Sequence, residues 1–146
     1  MPFCSWRFPE TVRYALAFAF NLHEILLCVY SPFANAEFDA AFEVEATCHS
    51  PNRVECFSQV FRCLKPGGLF AGYEWVVTDN YDPKNVDHVR WKEGIEVGNG
   101  LPTLATAEEV LENLREAGFE IVDAFDPHEG THDENRVPWY STLEGE

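Results

Sequence analysis

The segment FDAAFEVEA, residues 38–46, determines how the rest of the chain is interpreted. Its even-numbered positions, from Phe38 to Ala46, are all apolar, whereas Glu43 and Glu45 occupy odd positions. Successive side chains of a β-strand point to opposite faces of the sheet, so this alternation is typical of a strand. The segment therefore predicts a strand whose even positions share one apolar face.

A helix and a second strand are predicted directly after this strand. Ser50-Pro51 suits a helix N-cap and first turn, and Lys65-Pro66-Gly67-Gly68 is expected to end the helix. The apolar residues that recur between these two signals at helical spacing are Val54, Phe57, Phe61 and Leu64. Residues 69–77 then predict the second strand.

Two further helices and a third strand are predicted later in the chain. A short helix covers residues 86–94, after a loop rich in Asp, Asn and Pro. A longer helix starts at Thr106, because Glu109 completes a capping box, and Gly118 ends it. The residues of this helix that we expect in the core are Val110, Leu111 and Leu114. Residues 120–125 follow as the third strand.

This order of elements predicts an α/β fold with a parallel, Rossmann-like sheet and helices on both faces. Strands that alternate with helices of this length are connected by crossovers, which join parallel strands. In open parallel sheets, ligands bind at the carboxyl ends of the strands. The functional residues are therefore expected where the predicted strands end.

The composition excludes several classes of protein. The chain has 146 residues with 25 acidic and 10 basic side chains, a formal net charge of −15, which argues against binding to nucleic acid or to an anionic membrane. This length corresponds to one domain with a real core. The 5 cysteines form no C-x-x-C pair, so we expect reduced, buried thiols in an intracellular compartment.

An apolar segment, residues 14–30, lies near the N-terminus and precedes Ala34-Asn35-Ala36, which mimics a signal-peptide cleavage site. The polar residues that interrupt this segment are Asn21, His23 and Glu24. A signal sequence and a membrane helix both need nearly continuous apolar residues, so the interruptions argue against each. We expect a core segment instead, and its pattern leaves helix and strand open.

The candidate site consists of the residues that end the first two strands. They are Glu45, Ala46, Thr47, Cys48 and His49, and then Tyr73, Glu74, Trp75 and Asp79. Glu43 and Glu45 either face solvent on an edge strand or form a negative lining for a cationic ligand. By the period of two, Tyr73 and Trp75 fall on one face, where their rings either stabilise positive charge or belong to the core.

Two other motifs match catalytic patterns without the structural context these patterns need. Cys48 and His49 are adjacent at a strand end, so their side chains diverge and do not form a nucleophile and base. Residues 128–132 read HEGTH, which matches the zinc-peptidase pattern H-E-x-x-H. Gly130 lies inside this motif and no apolar periodicity supports a helix there, so we expect a solvated loop and no metal at the site.

The chain resembles the S-adenosylmethionine-dependent sterol 24-C-methyltransferases. The segments that carry the resemblance are residues 38–51 (FDAAFEVEATCHSP), 64–68 (LKPGG), 73–75 (YEW), 78–79 (TD), 82–83 (DP), 95–102 (IEVGNGLP) and 137–140 (VPWY). The LKPGG turn is shared by many methyltransferases, whereas the YEW and IEVGNGLP segments are similar to this family in particular. The resemblance covers about residues 32–143.

The resemblance implies methyl transfer from S-adenosylmethionine to carbon 24 of a sterol side chain. The residues it implies on the cofactor side are Glu45, Ala46, Thr47, Cys48 and His49, and the catalytic residues that border the sterol are Tyr73, Glu74, Trp75 and Asp79. A methyl group added to an alkene leaves a carbocation, which aromatic rings and carboxylates stabilise. Which carboxylate acts as the base is left open.

The sequence also departs from the family. Members carry a glycine-rich loop after their first strand and an acidic residue after their second, whereas no G-x-G occurs here before residue 38. We therefore expect residues 1–31 to be an unassigned apolar segment, residues 32–143 to be the second half of a class I methyltransferase domain that lacks the first strands, and residues 144–146 to be a tail. The strand over residues 38–46 would then be an exposed edge, unless residues 14–30 replace its neighbour as a strand or helix.

Three classes of function follow from the resemblance and its gaps. The first is a sterol methyltransferase, acting in the cytoplasm or at the endoplasmic reticulum membrane surface, with a sterol and no nucleic acid as partner. The second is a non-catalytic remnant that associates with a full-length methyltransferase or with itself as a homo-oligomer. The third is a methyltransferase for another small molecule. Because the glycine-rich loop is missing, we expect the isolated chain to bind S-adenosylmethionine very weakly.

Overall fold

The computed structural model describes residues 14–17, by their backbone, and residues 31–126. Its elements, in chain order, are β1 (Tyr14–Ala17), β2 (Phe38–Val44), a 3₁₀ turn (Thr47–His49), α1 (Arg53–Cys63), β3 (Leu64–Tyr73), β4 (Val76–Val77), α2 (Val86–Asn99), β5 (Ala105–Thr106) and α3 (Ala107–Glu116). In this part of the chain, no helix is long and apolar enough to cross a membrane. The HEGTH and VPWY motifs lie outside the described residues.

The strands form two parallel sheets. β1, β2 and β3 lie side by side in that order, and β4 pairs with β5 in a smaller sheet. Parallel neighbours need long crossover connections, and α1 provides the one between β2 and β3. The predicted α/β fold with a parallel sheet is confirmed. Since Val44 lies beside Tyr73 in the register, β2 and β3 end at the same edge of the sheet.

β1 is a strand, which was one of the two alternatives that the sequence left open for this segment. Its Leu16 lies beside Phe42 of β2, and the two strands run parallel. β2 therefore has a neighbour on each side and is not the exposed edge that the missing strands would have left. Residues 18–30, the rest of the apolar segment, lie outside the described residues.

The buried face of β2 is the opposite of the predicted one. Ala41 and Glu43 are buried, whereas Phe42 and Val44 are 43% and 63% exposed. The pairing of β2 with β3 is irregular between Phe38 and Ala40, where residues 65–68 of β3 are extra, and the buried positions of β2 change from even to odd after this irregularity. The prediction that the even positions form the apolar core face is therefore wrong for Phe42 and Val44, whereas Phe38 and Ala46 are buried.

The core lies between the sheet and the two helices α1 and α3. Phe57 of α1 is the largest of the side chains that are almost fully buried among the described residues. The residues that cluster with it are Ala105, Val110 and Ala117, with Phe70 and Phe119 packed against the cluster. The rings of Phe70 and Phe119 are 5.4 Å apart, so α1 and the segment after α3 cover the same side of β3.

α1 begins at Arg53, later than the predicted start at Ser50-Pro51. Asn52 is the N-cap, and its side-chain oxygen accepts a hydrogen bond from the backbone N–H of Glu55 at 3.2 Å. Ser50 donates its hydroxyl to the carbonyl of Asn52 at 2.9 Å instead of capping the helix. The 3₁₀ turn that ends at residue 49 redirects the chain, and this turn has no signal in the hydrophobic pattern.

α2 extends to Asn99, beyond the predicted end at residue 94. Gly94 lies in open space within the helix, so it neither crowds a neighbour nor stops the helix. Gly100 ends α2 in the left-handed conformation, with φ of 65°. None of the residues of α2 is buried, because the helix carries no continuous apolar stripe.

α3 agrees with its prediction, while the strand predicted after it is absent. Thr106 and Glu109 form the capping box, Val110 is buried, and Gly118 follows the helix with φ of 108°. Residues 119–126 adopt no regular structure, and Val122 in this segment is 86% exposed. The prediction of a strand over residues 120–125 is wrong, because no strand of the described sheets pairs with this segment.

Candidate functional site

The ends of β2 and β3 meet at one edge of the sheet. The backbone N–H of Glu45, just after β2, donates to the carbonyl of Tyr73, the last residue of β3, at 2.7 Å. The two groups of residues that the sequence singled out are therefore neighbours in space. The 3₁₀ turn then folds Thr47 and Cys48 back under the strand ends, where both are buried.

Two glutamates form a carboxyl pair below this turn. Glu43 is only 3% exposed, and its Oε2 accepts hydrogen bonds from the backbone N–H groups of Ala46 at 2.8 Å and Thr47 at 3.4 Å. The hydroxyl of Thr47 donates to Oε1 of Glu74. The other oxygens of the pair, Oε1 of Glu43 and Oε2 of Glu74, are buried and have no hydrogen-bond partner among the described residues.

The pair favours one proton over two negative charges. Burial, and then the negative charge of Glu74, raise the pKa of Glu43 to about 8, although the backbone N–H of Ala46 acts in the opposite direction. The close approach of the Glu74 side chain also contributes to this rise, because a protonated Glu43 carboxyl can donate its proton to the Glu74 carboxylate. Glu43 is therefore mainly protonated at neutral pH.

Gly72 makes room for this pair. It lies beside Glu43 in the register of β2 and β3, and a Cβ atom at this position would lie 2.8 Å from Oε1 of Glu43. Real Cβ atoms do not approach another atom so closely, so any other residue here would displace the carboxyl group. A glycine inside a strand marks a close approach of this kind, and that signal was available in the sequence.

Cys48 is a neutral thiol in this site. Burial, and then the charges of Glu74 and Glu43, raise the pKa of Cys48 to about 12. Its Sγ donates to the carbonyl of Glu45 at 3.1 Å. A thiol with so high a pKa does not form the thiolate that nucleophilic catalysis needs, which agrees with the sequence argument against a Cys48-His49 nucleophile.

Arg53 lies close enough to this cluster to act on it. Its positive charge lowers the pKa of Cys48 and partly offsets the two glutamates. The guanidinium Nη2 donates to the carbonyl of Thr103 at 2.6 Å, and its Nε is buried without a partner among the described residues. Arg53 was not predicted from the sequence, because only the fold brings the start of α1 close to Cys48 and the two glutamates.

The two aromatic candidates occupy different surroundings. Trp75 packs against the cluster of Cys48, Leu101 and Leu104, whereas Tyr73 is 42% exposed beside Val44. β3 ends at Tyr73, so the alternation of faces does not continue to Trp75. The prediction that both rings share one face is therefore wrong.

The remaining candidates lie at the rim. Glu45 has φ of 53°, a left-handed conformation that costs a non-glycine residue about 1–2 kcal/mol, and its side chain is exposed. Asp79 is exposed in a turn after β4, and His49 is half-buried at the end of the 3₁₀ turn. In residues 31–126, no three His, Cys, Asp or Glu side chains are grouped to hold a metal.

Comparison with known proteins decides the family. A family model described as a methyltransferase domain matches residues 10–72. The chain is 44% identical over 113 residues to cycloartenol-C-24-methyltransferase 1 of Oryza sativa subsp. japonica, which is 77% of this chain and 32% of that protein. It is 43% identical over 115 residues to sterol 24-C-methyltransferase erg-4 of Neurospora crassa, which is 78% of this chain and 29% of that protein. The chain belongs to the sterol 24-C-methyltransferase family.

The chain aligns with only part of the sterol 24-C-methyltransferases that it matches. It spans about a third of the length of the curated relatives that it matches. The methyltransferase match begins at residue 10, so it includes part of the segment that the sequence left unassigned.

A solved structure shares the fold. The crystal structure of the [4+2]-cyclase SpnF is 29% identical to this chain, with a TM-score of 0.52, over 66% of this chain and 31% of that one. The predicted class I methyltransferase fold is confirmed in its α/β architecture. Since that neighbour is named for a cyclisation, the fold alone does not specify the reaction, and the residues at the strand ends must do so.

Proposed function

We propose that this chain supplies part of the active site of a sterol methyltransferase, which transfers a methyl group from S-adenosylmethionine to carbon 24 of a sterol side chain. The observation that carries the proposal is the buried pair of Glu43 and Glu74 at the meeting point of β2 and β3. It supports the proposal because a desolvated negative charge suits a reaction in which positive charge moves from the methyl donor to the substrate.

The chain's own residues fit a cationic donor in chemical type. S-adenosylmethionine, when bound, supplies an electrophilic methyl group on a positively charged sulfur. The carboxyl pair retains one negative charge when it holds one proton, and this charge would stabilise a nearby cation, because charges interact strongly where water is excluded. We assign the cofactor side to residues 45–49, as the sequence predicts, with Glu43 beneath them.

The substrate side is assigned to the residues after β3. Methyl addition to an alkene leaves positive charge on the adjacent carbon, and the faces of aromatic rings attract such charge, most strongly for Trp. Trp75 packs beside Cys48, close to the carboxyl pair, while Tyr73 and Asp79 lie toward the solvent rim. Trp75 and Glu74 are therefore the inner catalytic residues in this proposal, and Tyr73 and Asp79 border the sterol.

Incubation of the chain with labelled S-adenosylmethionine and a sterol with a side-chain alkene tests the proposal. We expect a methylated sterol, and a loss of at least about 100-fold in rate for Glu74→Gln, since a proton acceptor contributes that much or more. Glu55→Gln, on the exposed side of α1, is the matched control and should leave the rate unchanged. Absence of any methylated product from the folded chain in a large excess of S-adenosylmethionine would contradict the proposal.

Affinity for the cofactor is a separate expectation. The glycine-rich loop of the family is not recognisable in the sequence, so we expect the isolated chain to bind S-adenosylmethionine very weakly. Calorimetry measures this directly, and a micromolar affinity would contradict the expectation without contradicting the reaction. We also propose an intracellular location, cytoplasmic or at the endoplasmic reticulum surface, where the sterol is available.

A second candidate function is association with a complete methyltransferase chain. Phe42, Val44 and Leu69 are exposed on one face of the sheet, and contiguous exposed apolar side chains mark interaction surfaces. Co-purification with a full-length sterol methyltransferase tests this function. Phe42→Ser should abolish the association, whereas Val97→Ser, at an exposed apolar position on α2, should not. Equal effects of the two variants would count against this surface.

A further inference from the structure

The carboxyl pair holds an excess of acceptors over donors. Glu43 and Glu74 each use one oxygen to accept hydrogen bonds from residues 46 and 47. Each also has one buried oxygen that no described group satisfies, and Glu43 is only 3% exposed. A buried acceptor without a donor costs about 1–3 kcal/mol, and a single proton placed between the two carboxyls would satisfy both.

Among the described residues, no other charged or titratable group donates a hydrogen bond to these two oxygens. Cys48 of the 3₁₀ turn lies close enough to both glutamates for their charges to raise its pKa, and the charge of Arg53 of α1 acts on the same thiol in the opposite direction. Cys48 remains a neutral thiol whose hydrogen goes to the carbonyl of Glu45. Arg53 directs Nη2 to the carbonyl of Thr103 and so satisfies a group outside the pair.

We propose that Glu43 and Glu74 act as one proton-holding unit, in which Glu43 keeps a proton and Glu74 is the carboxylate that accepts the proton released by the sterol. Glu43 is then a positioning residue, since it acts through Glu74, and Glu74 is the catalytic base. This assignment rests on the proposed sterol methylation, which left the base open. It requires Gly72, because only glycine leaves space for the Glu43 carboxyl at this place in the sheet.

The proposed proton transfer involves only the substrate and the carboxyl pair. A C–H bond next to the cationic carbon of the substrate breaks, and its electron pair forms the new alkene. The proton passes to the Glu74 carboxylate, so that each carboxyl then carries one proton. Before the next turnover the pair releases one of its two protons to solvent, which restores the singly protonated state.

The shared proton is tested by titration, without sterol or cofactor. The full chain, labelled with ¹³C at the glutamate carboxyls, is titrated by NMR. We expect one carboxyl with a midpoint near pH 8, which disappears in Glu43→Gln and falls by at least about one unit in Glu74→Gln, because the neighbouring charge is removed. Glu45→Gln, exposed at the rim, is the matched control and should leave the midpoint unchanged.

Two results would overturn the proposal that Glu43 and Glu74 share one proton. One is a Glu43 midpoint within one unit of the ordinary value of 4.5 in the unmodified chain, and the other is a midpoint that Glu74→Gln does not move. Since Glu74 is half-buried, the Glu74→Gln measurement carries the test even where Glu43→Gln does not fold.

The catalytic half is tested by comparing variants in the methylation assay. The amide of glutamine resembles a protonated carboxyl, so Glu43→Gln should retain most of the rate, whereas Glu43→Ala and Glu74→Gln should each lose about 100-fold or more. An equal loss in Glu43→Gln and Glu43→Ala would show that Glu43 does not act as a protonated group. A coupled titration in a chain that never methylates a sterol would reject the proton acceptor and the proposed function, while the shared proton would stand.

Discussion

On the side of the sheet that α1 and α3 cover, β2 buries the carboxyl of Glu43, while on the opposite side it exposes Phe42 and Val44. The distribution of polar and apolar side chains is thus the reverse of the usual one. Glu43 tolerates burial because its carboxyl is protonated and accepts two backbone hydrogen bonds. The comparison shows that the elements packed on each side, rather than the polarity of the strand, decide which face becomes the interior.

The largest loss of stability is expected from a cavity in the core on the side of the sheet that α1 and α3 cover. Phe57→Ala removes the largest nearly fully buried ring of the described core, and we expect a loss of about 3–5 kcal/mol in the free energy of unfolding. Phe42→Ala removes the same ring from the exposed face and should cost less than about 1 kcal/mol. Urea denaturation measures both, and equal losses would show that the two faces do not differ in packing.

The buried acid should make the packed face sensitive to pH. The pKa of Glu43 is raised from 4.5 to about 8, so its contribution to stability is complete below pH 4.5 and is lost as the pH rises to about 8. We expect Glu43→Gln to gain stability relative to the unmodified chain, on the order of 3 kcal/mol, between about pH 5 and about pH 9. Urea midpoints across this range measure the gain, and Glu45→Gln should show none. Parallel curves for Glu43→Gln and the unmodified chain would contradict the buried proton.

A substitution at Gly72, beside Glu43, should have a smaller effect on stability. A methyl group there would crowd Oε1 of Glu43, so Gly72→Ala should cost about 1–3 kcal/mol. The same substitution should cost less when it is combined with Glu43→Ala, since the crowded carboxyl is then gone. A double-mutant cycle measures this coupling, and strict additivity would mean that the two residues do not touch.

The smallest effect is a gain in stability, and it is expected from a substitution in α2, away from both faces of the sheet. Gly94 lies inside α2, where a methyl group would meet no atom within 4 Å. Gly94→Ala should therefore stabilise the chain by up to about 1 kcal/mol through the higher helix propensity of alanine. Thermal unfolding followed by circular dichroism checks the gain, and a loss of stability would show that α2 is more crowded than its exposure indicates.

The parts of the fold that depend on local sequence were predictable. The capping box of Thr106 and Glu109 joins residues only three positions apart, so it could be recognised without the fold. The parallel sheet followed from the alternation of strands and helices. In contrast, which face of β2 is buried depends on how β2 pairs with β3 and on which elements pack against them, and the alternation of the segment does not contain this long-range information.

The candidate site shows the same division between local and long-range information. The strand-end rule placed Thr47 and Glu74 correctly near each other, since it uses only the order of the elements. Glu43 was recognised as a costly acid and yet was not chosen for the site, because its contact with Glu74 depends on the 3₁₀ turn. Arg53 joins the cluster only through the crossover and was not predicted.

The left-handed backbone at Glu45 also governs how the strands align. If β2 slid by one position along β3, this conformation would fall on Val44 or Ala46, and a β-branched residue such as valine adopts it only at high energetic cost. The left-handed conformation at Glu45 therefore disfavours a shift of β2 along β3. At the same residue, the backbone N–H of Glu45 is bound to the carbonyl of Tyr73, the residue just before Glu74, so this torsion lies where the chains that carry the two carboxyl groups are joined.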